Sequence, residues 1–112
     1  LFGGISDAPM VGIRQIRDVV ERDSTFLYGQ MTLAKASLLS NQTSKAEERL
    51  RTILRIEPRS LDALLLLAEI REQAGDKKEA LELYKKCLAN TPLAELKKAL
   101  EERIRSISNE TN

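Results

Sequence analysis

The sequence predicts an all-α protein built from stacked helical hairpins, and three observations carry that expectation. Leu, Ala, Glu, Lys and Arg together make up about half of the 112 residues, a composition typical of helical bundles, coiled coils and helical repeats. Pro and Gly are few and regularly placed, with Pro58 and Pro92 standing 34 residues apart. Sliding the chain by that same distance aligns its two central thirds.

The punctuation gives the elements in order. Asp7 is placed to cap a first helix from Ala8 to Arg22, with Ile13, Ile16, Val19 and Val20 at helical spacing. Ser24 or Thr25 caps a second, running to Ser40. Ser44 with Glu47 reads as a capping box for a third that ends near Glu57, just before Pro58. Ser60 opens a fourth through Ala74, closed by Gly75, and Asp76 with Glu79 opens a fifth through Ala89. A last helix carries the stripe Leu93, Leu96, Leu100, Ile104 and Ile107 on an otherwise charged surface, as a terminal cap should, and residues 108–112 are expected to fray.

In the slide, Leu27 meets Leu61, Leu33 meets Leu67, Ala34 meets Ala68, Ala46 meets Ala80, Leu54 meets Leu88 and Pro58 meets Pro92. Leu50 faces Tyr84, Ile53 faces Cys87 and Asn41 faces Gly75. The same shift sets Gly12 on Ala46 and Ile16 on Leu50, which makes the first helix the second half of an earlier repeat. Small residues at 34, 46, 68 and 80 let helix axes approach, and larger ones fill the space around each crossing. One hairpin cannot bury its apolar face alone, whereas stacked hairpins can.

Composition also excludes functions. A single Cys rules out an internal disulfide, and with no His the usual zinc sites and any His-dependent catalysis are ruled out as well. A net charge of +1 argues against a nucleic-acid binder. The apolar run around Leu64–Ala68 is far too short to span a bilayer. Carboxylates are plentiful but form no catalytic constellation, so no enzyme activity, cofactor or metal is expected.

With Leu33-Ala34, Ala46, Leu50 and Pro58 in one repeat and Leu67-Ala68, Gly75, Ala80, Tyr84 and Pro92 in the next, the chain resembles the tetratricopeptide repeat (TPR) family. It departs from that pattern at the first-helix Trp, which is Gln30 and Leu64 here, and at the mid-helix Tyr, which is Ser37 and Arg71. The resemblance implies a right-handed α-solenoid of five to six helices forming one domain over 1–112. Its parts are a half repeat (8–26), repeat one (27–60), repeat two (61–94) and a capping helix (92–108). It also implies a protein-interaction scaffold that takes a partner peptide or protein on a concave face lined by first helices. Helical spacing puts Tyr28, Met31, Lys35 and Leu38 on that face from repeat one, and Asp62, Leu65, Glu69 and Glu72 from repeat two. The apolar members with the acidic second half suit an apolar or basic partner segment. A second use for Tyr28 and Met31 is packing on the N-terminal helix. Only Lys35 is placed for a clamp on a peptide carboxylate, so that mode is not expected.

Other features weigh less. Cys87 reads as a buried structural thiol, and Arg49, Arg51, Arg55 and Arg59 as a solvated outer face. The Asn41-Gln42-Thr43 and Asn109-Glu110-Thr111 triplets read as chance matches to a glycosylation pattern. The opening Leu-Phe-Gly-Gly-Ile and the half repeat point to a longer protein with a domain, signal or membrane anchor upstream. That leaves the location open between cytoplasm, periplasm and an anchored form. Self-association into a homo-oligomer is the chief rival reading, with an RNA-binding helical repeat behind it.

Overall fold

The computed structural model describes residues 12–18 and 27–111. These residues are all-α. A helical segment, α1, covers residues 12–18. It is followed by α2 (Leu27–Leu39), α3 (Thr43–Ile56), α4 (Leu61–Gln73), α5 (Lys77–Asn90) and α6 (Ala94–Thr111). The readings of Asp7, Val19, Val20, Ser24 and Thr25 fall outside the described residues. The chain divides into two compact units, Leu1–Ile56 and Glu57–Asn112.

In the first unit α2 and α3 form an antiparallel hairpin. Gly29, Gln30, Leu33 and Ala34 of α2 are buried, as are Ala46, Leu50 and Ile53 of α3. Gln30 stands where the resemblance would place Trp, and a buried amide needs a partner. Its Oε1 accepts a 3.3 Å hydrogen bond from Nη1 of Arg49. Arg49 is therefore half-buried and does not belong to a freely solvated arginine face, whereas Arg55 and Arg59 are exposed. Helix α3 also begins one residue before Ser44, with the Gln42 carbonyl accepting from the Ala46 N–H at 3.1 Å. Ser44 thus lies inside the helix.

The second unit packs α4 on α5 and α5 on α6. Ser60 caps α4 by accepting from the Ala63 N–H at 3.4 Å, and Asp76 caps α5 by accepting from the Glu79 N–H at 3.1 Å. Thr91, held extended at φ −107° and ψ 136° by the proline that follows it, ends α5. Ala63, Ala68, Ala80 and Cys87 are wholly inaccessible, with Leu64, Leu67, Leu83 and Tyr84 packed around them. Helix α6 buries Leu100 and Ile107 and half-buries Leu96 and Ile104. Leu93 precedes the helix and is 61% exposed, so it falls out of the expected stripe. The helix runs to Thr111, well into the segment expected to fray, and Lys77 pairs with Glu110 at 2.8 Å.

The turns closing α2 and α4 are the same structure 34 residues apart. Asn41 (φ 59°) and Gly75 (φ 89°) are both left-handed. The Asn41 N–H donates to Leu38 O at 3.1 Å and the Gln42 N–H to Ser37 O at 2.7 Å. The Gly75 N–H donates to Glu72 O at 3.0 Å and the Asp76 N–H to Arg71 O at 2.9 Å. This is the paired bonding of a Schellman cap. A Cβ built on Gly75 meets nothing within 4 Å, so only the backbone penalises a side chain there. Gly75→Ala should cost about 1 kcal/mol, and Asn41→Gly should gain a few tenths of that. Urea melts followed by circular dichroism check both, and an unchanged Gly75→Ala midpoint would contradict the left-handed cap.

Candidate interaction surface

The eight residues expected on the first-helix faces fall in two sets. In the first unit Tyr28, Met31, Lys35 and Leu38 share one side of α2. Tyr28 is 71% exposed, Lys35 is exposed, and Met31 and Leu38 are half-buried. In the second unit Asp62 is exposed on the first turn of α4. Leu65, Glu69 and Glu72 come together in a groove of about 390 Å³.

The groove's other wall is α6, which contributes Leu96, Leu100 and Arg103, and Tyr84 of α5 lines it as well. The Glu72 carboxylate ties the three helices. The Tyr84 hydroxyl donates to its Oε1 at 2.8 Å. Arg103 adds a two-pronged contact, from Nε to Oε1 at 3.0 Å and from Nη2 to Oε2. A guanidinium fork on a carboxylate is a strong and geometrically specific pair. The charge of Glu72 is thereby neutralised within the unit. Glu69 stands exposed one turn away, and among the described residues no cation pairs with it. Its field is felt nearby. Burial first, then Glu69, then Cys87, push the Tyr84 phenol up to about 12. Burial likewise pushes the Cys87 thiol up to about 11, with the backbone hydrogen bond opposing and Glu69 adding to the rise. Cys87 is fully buried, an inert thiol rather than a nucleophile.

Tyr84, Leu96, Leu100 and Arg103 were not among the residues expected at this surface. A signal for Leu96 and Arg103 was present, because adding 34 to 62 and 69 gives 96 and 103. The last helix thus repeats the face of α4. Treating it only as a cap hides that register.

Antiparallel hairpins with small residues at each crossing, repeated at 34 residues and closed by the same turn, define a helical-repeat protein. The family model described as tetratricopeptide repeat matches residues 37–103, more than half of the chain. The protein belongs to the tetratricopeptide repeat family. No match is found among curated proteins. The domains of this family are characteristically non-catalytic scaffolds for protein–protein interaction. Among the described residues no group of three or more His, Cys, Asp or Glu side chains could hold a metal ion.

Proposed function

We propose that the protein binds a partner segment bearing an apolar side chain and a neighbouring Lys or Arg, seated in the groove between α4 and α6. Repeat one is taken as 27–60 and repeat two as 61–94. What supports this reading is the division of partners in the groove: Arg103 satisfies Glu72, while among the described residues no cation pairs with Glu69 beside the apolar Leu65 and Leu96. Leu65 and Leu96 would take the apolar side chain. Glu69, exposed beside the groove, would take the cation through a charge-assisted hydrogen bond. The face of α2 around Tyr28 and Met31 is a separate surface of the first unit, open to a segment of the same kind.

Peptide arrays that pair Leu with Lys, Arg, Glu or Gln one helical turn away test the reading. The protein should retain the Lys and Arg peptides selectively. Glu69→Lys should weaken capture at least tenfold, and Leu65→Ala several-fold, with helicity unchanged. Equal capture by the Glu69→Lys protein would sink the proposal. A concentration-dependent dimer in light scattering, abolished by Tyr28→Ala, would instead favour self-association.

A further inference from the structure

A second cleft lies in the first unit, where α1, the end of α2 and the start of α3 meet. It encloses about 740 Å³, within the range of small-ligand sites. Four cationic side chains line it, Arg14 and Arg17 from α1 and Lys45 and Arg49 from α3, against the single acid Glu48. Arg49 is steadied by its bond to Gln30. Among the described residues Arg14, Arg17 and Lys45 have no carboxylate partner. The hydroxyls of Ser37 and Ser40 and the Gln42 amide also line the cleft, so it offers neutral donors among the charges.

The second unit shows how the same template is neutralised internally. There the counterparts of Ser37, Gln42 and Lys45 are Arg71, Asp76 and Glu79. Arg71 pairs with Asp76 at 3.1 Å and with Glu79 at 3.2 Å. In the first unit both acids are gone, and a lysine stands in place of Glu79. A cleft walled by one sign of charge focuses its field and concentrates the opposite ion.

From this juxtaposition we propose that the cleft binds a compact polyanion carrying two or more phosphate groups. Three guanidinium forks with hydroxyl donors match phosphate oxygens. Three net positive charges around one cleft also call for a denser anion than a chain with one carboxylate per residue. This site is separate in sequence and chemistry from the α4–α6 groove and does not depend on that reading.

Isothermal titration of the full chain with tripolyphosphate, at fixed ionic strength, is the test. Saturable one-to-one binding is expected, weakened at least tenfold by Lys45→Glu, which restores the acid of the second unit, and by Arg14→Gln with Arg17→Gln. Lys98→Glu, an exposed change of equal charge on α6, should leave it within twofold. Circular dichroism confirms that each variant keeps its helices, and the glutamine pair serves if Lys45→Glu does not fold. Absence of saturable binding, equal loss in Lys98→Glu, or tighter binding of an oligoglutamate peptide than of tripolyphosphate would overturn the proposal. Sedimentation with phosphatidylcholine vesicles, with and without phosphatidylinositol bisphosphate, distinguishes the source. Retention lost in Lys45→Glu assigns a lipid headgroup, and no retention beside intact tripolyphosphate binding assigns a free polyphosphate.

Discussion

Leu67→Ala should destabilise the second unit by about 3 kcal/mol, in the middle of the range for a fully buried leucine. Leu67 is 1% exposed and its neighbours at the α4–α5 crossing, Ala68 and Ala80, are wholly inaccessible. With alanines already at the contact, the helix axes cannot draw much closer to fill the space left by the lost side chain. The cost therefore contains a cavity contribution as well as the lost transfer energy of the removed methyl groups. For a unit of this size such a loss lowers the melting temperature by well over about 10 °C. Leu66→Ala, one residue earlier and only half-buried, should cost less than half as much. Thermal melts of the two variants side by side check the prediction, and equal losses would mean that α4 does not face α5 as described.

Alkaline pH should destabilise the same unit, in two overlapping steps. The Cys87 thiol rises from 9.0 to about 11 on folding and the Tyr84 phenol from 10.0 to about 12. Both groups are neutral when protonated. Below pH 9 the folded and unfolded chains hold these protons equally and stability is complete. As pH rises, the unfolded chain releases each proton first, so the unfolded state binds fewer protons and stability falls with pH. The loss develops between pH 9 and 11 for Cys87 and between 10 and 12 for Tyr84. A rise of about two pH units corresponds to at most roughly 3 kcal/mol for each group. The two are not additive, because each group's charge disfavours the other's ionisation. Urea midpoints measured from pH 8 to 11.5 under reducing conditions should fall steeply in the wild type. Cys87→Ala should flatten the lower part of the curve and Tyr84→Phe the upper part. Identical curves for all three proteins would show that neither group is buried as described.

Much of this architecture is written locally, and that portion is legible without coordinates. Alanine at 34, 46, 68 and 80 reads as close helix contact, and all four are fully inaccessible. Asn41 opposite Gly75 reads as a shared turn, and both are left-handed. Ser60 and Asp76 act as caps through hydrogen bonds three residues away, a distance over which sequence spacing is a reliable guide.

What was not legible depends on partners far along the chain. Arg49 has the spacing of an exposed residue, but it meets Gln30, nineteen positions earlier. Glu72 has the spacing of a free acidic ligand, but it is claimed by Arg103 from 31 positions later. Spacing along one helix says which way a side chain points, not what waits there. The groove itself was half legible. The α4 residues follow from helical spacing, while the α6 residues need the 34-residue register carried one step further. Ser44 has the side chain of a cap, but the backbone begins α3 at Thr43, with Gln42 supplying only its carbonyl.

The matched turns at Asn41 and Gly75 also bear on how the molecule forms. Each joins two helices through only three residues, 40–42 and 74–76, so closing either hairpin costs little chain entropy. The contacts between α2 and α3, and between α4 and α5, are near in sequence, and topologies of that kind fold in microseconds to milliseconds. Each hairpin can therefore nucleate at its own turn. The bonds that tie α6 back to α4 span a longer loop and would form after the α4–α5 pair exists. The order of assembly is then set by two backbone caps, which need neither a particular surface charge nor a bound partner.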